Sequence, residues 1–226
     1  MAGRVLVITG AFGVLGSAVA RAAAGQGARL ALIDFAQHGP AIDGALALGG
    51  VDLIDPARAA MAIDAAADHF GRIDALLNVA GGFTWQTLAD GPADTWAALY
   101  RLNVLTAANA SRAAIPHLKG SAAGRIVNVG ANAALRAAAG MGAYAASKAG
   151  VHALTQSLAE ELKGDNITVN AVLPSILDTA ANRADMPEAN PADWVSPDDL
   201  AAVMLFLALC FWASLRPAKP SARRGR

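Results

Sequence analysis

Five apolar runs of strand length limit the architecture before any single residue does. They are RVLVITG (4–10), ARLALID (28–34), IDALLNVAG (73–81), GRIVNVG (124–130) and ITVNAVLP (167–174). None alternates apolar with polar residues, so each predicts a strand covered on both faces, as in a parallel sheet. A short sixth strand is expected at GGVDLID (49–55), and residues 14–26, 56–70, 92–118 and 142–163 carry the helical period between them. Strand and helix in alternation predict a doubly wound α/β fold that binds ligands beyond the carboxyl ends of its strands. A length of 226 residues, 55% hydrophobic and 16% charged, suits a single domain with a buried sheet. The Pro- and Asp-rich stretch at 184–197 follows the last clear strand and reads as a long loop or broken helix, in the position of a lid.

The first strand runs straight into TGAFGVLG, with Gly10, Gly13 and Gly16, and then into a helix. Glycines here let the backbone approach a pyrophosphate while the helix start offers free N–H groups and its positive dipole end. The second strand ends in Asp34, 18 residues past Gly16. A carboxylate at that point accepts the two ribose hydroxyls of an adenosine and repels a 2′-phosphate, and no Arg or Lys lies between residues 30 and 57 to offset it. NAD(H) is therefore expected over NADP(H).

A second pattern lies at GMGAYAASKAG (140–150), where Tyr144 and Lys148 stand four places apart among Gly, Ala and Ser. On a helix they share one face, with little beside them to block a ligand. The charge of Lys148 is expected to favour the phenolate and so lower the pKa of Tyr144.

In order along the chain, TGAFGVLG, Asp34, DL at 52–53, NVAG at 78–81, Asn103, YAASK at 144–148 and LPSILDT at 173–179 resemble the short-chain dehydrogenase/reductase family, from residue 4 to about 208. The resemblance implies a Rossmann-type fold and an NAD-dependent oxidoreductase acting on a small-molecule substrate. Tyr144 would be the general acid/base and Lys148 its charged partner on the nicotinamide ribose, with Asn103 holding a water beside Lys148. Gly10, Phe12, Gly13, Val14, Leu15 and Gly16 would hold the pyrophosphate and Asp34 the ribose. Asp52 and Leu53 would meet the adenine, and Asn78, Val79, Ala80 and Gly81 would line the cofactor channel. Pro174 and Ile176 would contact the cofactor, and Thr179 would bind the carboxamide of the nicotinamide. Three of these residues have a structural reading as well: Asn78 as a strand-end cap, Asn103 as a partner for buried backbone, and Thr179 as the N-cap of a helix at AANR. Family members also pair the helices at 92–118 and 142–163 between subunits, so a homo-oligomer, dimer or tetramer, is expected.

Two departures stand out. Thirteen residues before Tyr144, where the family carries a serine, this chain has Ala131, with Asn132 the nearest alternative donor. A methyl cannot support a developing oxyanion. NVAGGF, GANAAL, GMGAY and AVLPSILDTAANRADMPEA followed by Trp194 resemble the dihydropteridine reductase branch, which implies a quinonoid ring substrate met by Phe83, Trp85 and Trp194. The alternative is a catalytically impaired NAD-binding protein. The second departure is the end of the chain, where residues 209–226 form an apolar then basic tail without strand or turn signal; a sheet lacking the family's usual last strand is expected.

The remaining features narrow partners and location. Eighteen basic and eighteen acidic residues give no sign of a nucleic-acid partner, although five of the basic ones fall in 216–226. The apolar run at 200–215 is shorter than a membrane span. A single cysteine, Cys210, and the lack of a signal-like start suit the cytoplasm. No metal site is expected.

Overall fold

The computed structural model describes residues 1–209. Six strands form one parallel sheet: β1 (Val5–Thr9), β2 (Arg29–Ile33), β3 (Leu46–Leu48), β4 (Ala75–Asn78), β5 (Gly124–Val129) and β6 (Ile167–Val172). Their spatial order is β3-β2-β1-β4-β5-β6. From β1 the chain builds outward through β2 to β3, then returns to lay β4 on the other side of β1. The loops after β1 and β4 therefore diverge, and this reversal is where a doubly wound sheet opens a crevice.

Helices cover both faces. Along β1, Leu6 and Ile8 point into the layer formed by α1 (Val14–Gly25) and α7 (Pro197–Leu209), while Val7 points the other way. That second layer holds α2 (Pro56–Phe70), α4 (Thr106–Lys119) and α5 (Gly142–Glu161). Double coverage explains the unbroken apolar runs, and each fully buried Leu or Ile contributes about 1.5–3 kcal/mol. The ends of α2 are set by local chemistry: the Asp55 carboxylate accepts the N–H groups of Ala57 and Arg58, Pro56 opens the helix, and Gly71 closes it at φ 76°.

Two elements differ from the sequence expectation. The short strand lies at Leu46–Leu48 rather than within 49–55, because Gly50 turns the chain at φ 73° and Asp52 and Asp55 form the turn that starts α2. The helix expected over 92–118 is divided into α3 (Thr95–Tyr100), a wider π-helical turn at Arg101–Leu105, and α4. The stretch at 184–197 begins in the last two residues of the short α6 (Ala180–Asp185) and runs to the start of α7 as irregular chain with one 3₁₀ turn at Pro191–Asp193.

Among the described residues β6 pairs only with β5, and no helix is long and apolar enough to cross a membrane. The tail reading at 210–226 lies outside the described residues.

Candidate active site

Three segments meet where the sheet reverses: the glycine turn after β1, residues 79–82 after β4, and the first turns of α5 beyond β5. Two of the three glycines are required by the protein's own packing. A Cβ on Gly10, at φ 63°, would stand 2.7 Å from the Ala80 backbone, and one on Gly16 would stand 2.0 Å from the Gly10 carbonyl oxygen. Gly13 differs, since its Cβ would make only an ordinary 3.5 Å contact with that oxygen. The chain itself has no use for a glycine there. Gly13 is also the N-cap of α1, and no side chain caps that helix. An open backbone at an uncapped helix start fits a pyrophosphate. Beside it Val14 is exposed and Leu15 is turned into the core.

Asp34 fastens this turn to the end of β2. Its Oδ2 accepts the Phe12 N–H at 2.8 Å and its Oδ1 the Ala36 N–H at 2.9 Å. Each oxygen keeps a second lone pair, which is what a ribose diol needs. Asp52 is occupied differently, accepting the Ile54 N–H at 2.9 Å. The Leu53 side chain lies in the core, and its carbonyl accepts from Asn109 Nδ2.

After β4 the Thr9 hydroxyl accepts the N–H groups of Val79 and Ala80 and so sets the course of residues 79–82. The Asn78 side chain is turned away from this edge into the interior, donating to Ser111 Oγ at 3.1 Å and Asn128 Oδ1 at 2.9 Å. It is a structural tie between β4, β5 and α4. Asn103, in the π-helical turn, spends both amide hydrogens on the Gly82 carbonyl and Ser147 Oγ, while its Oδ1 accepts the Gly82 N–H. The Asn103 side chain thus acts as a strut between the post-β4 loop and α5. Ser147 Oγ in turn donates to the Tyr144 carbonyl at 2.7 Å.

Tyr144 and Lys148 share one face of α5, with Lys148 Nζ 6.0 Å from the Tyr144 ring centroid. Phe83 meets the phenol edge to face, with ring centroids 4.9 Å apart. The nearby Trp85 donates its indole N–H to the Ala139 carbonyl, tying the post-β4 loop to the chain before α5. Lys148 is 5% exposed and donates to the Val129 carbonyl at 2.8 Å. Burial lowers its pKa to about 8.

Burial raises the pKa of Tyr144, contrary to the expected lowering. The physical reason is that the phenol is desolvated while the neighbouring ammonium is directed at a β5 carbonyl. Tyr144 is thereby held as the neutral phenol, the form that donates a proton.

The nicotinamide-side residues lie along the chain after β6. Pro174 accepts the Asn132 N–H, the Ile176 carbonyl accepts from Val195, and Thr179 caps α6 by accepting the Asn182 N–H. A cavity of about 500 Å³ is lined by Asn132, residues 171–175, Val195 and α7, and neither Tyr144 nor Lys148 borders it. Sequence reasoning missed three residues: Thr9, Ser147 and His152. Ser147 lies inside YAASK, and its place one residue before Lys148 was the available signal. His152, one turn after Lys148 on α5, accepts the Ala131 N–H at its Nε2 at 3.4 Å.

The family model described as short chain dehydrogenase matches residues 4–190. D-threitol dehydrogenase of Mycolicibacterium smegmatis is 32% identical over 91% of this chain and 86% of its own. Carveol dehydrogenase from Mycobacterium avium, solved in complex with NAD, superposes with a TM-score of 0.80 at 26% identity, covering 92% of this chain and 91% of its own. An NAD⁺-bound xylitol dehydrogenase superposes at 0.83 with 25% identity, covering 95% of each chain.

Proposed function

The chain belongs to the short-chain dehydrogenase family, and from that premise we propose that it is an NAD(H)-dependent oxidoreductase acting on a small carbonyl, hydroxyl or quinonoid ring compound. The observation that carries this reading is the placement of Tyr144 and Lys148 on one face of α5, at the end of the sheet where the glycine turn opens. The nicotinamide, when bound, supplies or accepts a hydride at its C4. Residues of this chain do the rest. Val14 to Gly16 would give their N–H groups to the pyrophosphate across Gly13, and Asp34 would take the ribose hydroxyls with its remaining lone pairs.

In the reducing direction Tyr144 would donate its phenolic proton to the substrate oxygen, or to the ring nitrogen of a quinonoid substrate. The tyrosine O–H bond would break as the substrate O–H or N–H bond forms. The phenolate is stabilised by Lys148 and regains a proton from solvent. Asn103 and Ser147 hold this pair in position from behind.

A carboxylate at Asp34 with no cation nearby in sequence supports NADH over NADPH. The methyl of Ala131 and the rings of Phe83 and Trp85 support a flat, delocalised substrate such as a quinonoid dihydropterin, whose nitrogen or oxygen would need no donor beyond Tyr144. An assembled Tyr144–Lys148 pair favours catalysis over the impaired reading. Trp96, Tyr100 and Leu102 expose an apolar face beside α5, which supports a second copy as partner.

The test begins with fluorescence titration by NADH and NADPH, NADH being expected to bind at least about 10-fold tighter. A panel of quinonoid dihydropterin, an aromatic ortho-quinone and short polyols with NAD⁺ then finds the turnover. Tyr144→Phe is expected to lower kcat more than about 100-fold with NADH affinity within about twofold. A variant that keeps most of its activity refutes the role of Tyr144.

A further inference from the structure

His152 has no part in the scheme above, yet it occupies a defined place beside the site. In a parallel ladder successive residues turn their backbone groups to opposite neighbours. Along β5 and the chain that continues it, Arg125 sends its N–H to Asp74, just before β4, whereas Gly130 and Asn132 send theirs to the Val172 and Pro174 carbonyls on the β6 side. Odd residues therefore face β4. That strand ends at Asn78, paired with Asn128. Beyond it, Val129 and Ala131 direct backbone groups into space that β4 has left. Ala131 is only 3% exposed, and an unpaired buried N–H costs about 1–3 kcal/mol.

Helix α5 fills the gap with two side chains one turn apart. Lys148 Nζ donates to the Val129 carbonyl at 2.8 Å, and His152 Nε2 accepts the Ala131 N–H at 3.4 Å. The ring passes so close to Gly130 that a Cβ there would stand 2.4 Å from Nε2. Resting on the Tyr144–Lys148 reading of the site, we infer that His152 is a positioning residue: its neutral imidazole stands in for a missing strand and, with Lys148, fixes residues 129–132 as the wall facing Tyr144.

Acceptance at Nε2 assigns the Nδ1–H tautomer and requires a neutral ring, since an imidazolium has no acceptor. Burial first, and the charge of Lys148 second, lower the pKa of His152 from 6.5. A lowered folded-state value means that the contribution is present above the unfolded value and is lost as pH falls through the folded one. Gly130 and Ala131, which follow β5, and Val172 of β6 bring no titratable side chain to the ring. On α5, Tyr144 stays neutral below pH 7.5, while Lys148, with a pKa of about 8, is mostly charged at pH 7.5 and becomes fully so as pH falls toward the His152 range.

The test follows the Ala131 amide of the full chain by ¹H–¹⁵N spectroscopy from pH 7.5 to 4.5, together with NADH affinity by fluorescence. In the native protein the amide is expected to titrate with a midpoint below 6.5, and NADH binding to weaken about fivefold over the same range. His152→Gln, which keeps an acceptor oxygen, should show neither transition; His152→Leu should bind NADH about fivefold more weakly already at pH 7.5. An Ala131 amide indifferent to the titration of His152, or a Leu variant with native affinity and profile, overturns the inference. A native chain that binds no NADH at any pH would defeat the cofactor site instead, and the Ala131 titration would still decide the role of His152.

Discussion

Lys148 must be buried to meet Val129 and charged to assist Tyr144, and those requirements oppose each other. Its pKa near 8 expresses the conflict: removing the ammonium from water favours the neutral amine. Between pH 8 and 10.5 the unfolded chain binds the proton more tightly than the folded one, so stability rises with pH across that window and is flat below it. Compared with Lys148→Met, the native protein should gain about 3 kcal/mol from pH 8 to 10.5 in denaturant unfolding. Parallel curves for the two would mean that the ammonium is solvated. At this scale the sequence made the shared face of Tyr144 and Lys148 legible, because four places is one turn of α5; such a pair alone is common on surface helices, and its expected role came from the ordered set of motifs around it. It hid Thr9 and His152, whose roles depend on where β4 ends, a property of pairing between distant segments. It also misdirected the pKa of Tyr144, since spacing reveals a neighbouring charge but not its burial.

At the scale of elements, the glycine turn separates packing from binding within eight residues. Gly16→Ala places a methyl 2.0 Å from a backbone oxygen and should destabilise the fold by about 2 kcal/mol or more. Gly13→Ala meets only an ordinary contact, so its melting temperature should stay near native while NADH affinity falls about 10-fold or more. Equal affinities for the native chain and Gly13→Ala, measured by fluorescence, would remove the pyrophosphate from this turn. Long elements such as α2 were legible because cap, proline, period and closing glycine agree. The placement of β3 was not, since three residues carry little pattern and Gly50 lies inside the expected strand. The π-helical turn was hidden as well: a single wide turn leaves the apolar period of 92–118 almost unchanged, and its purpose is the reach of Asn103 to Gly82.

At the scale of the molecule, the strand order does the essential work. Reversal between β1 and β4 sets the glycine turn beside the post-β4 loop, and β5 leads into the helix that bears Tyr144. Unbroken apolar runs set between helical stretches announced this architecture; the register that joins Asn78 to Asn128, and so leaves Val129 and Ala131 for α5, appears only in the assembled sheet. The central claim is that the crevice made by this reversal brings a nicotinamide to Tyr144. A crystal structure of the chain with NADH tests it most directly. The pyrophosphate is expected over Gly13, the adenosine ribose on Asp34, and the nicotinamide C4 within about 5 Å of Tyr144 Oη. NADH seated elsewhere, or a nicotinamide directed away from that phenol, would contradict it.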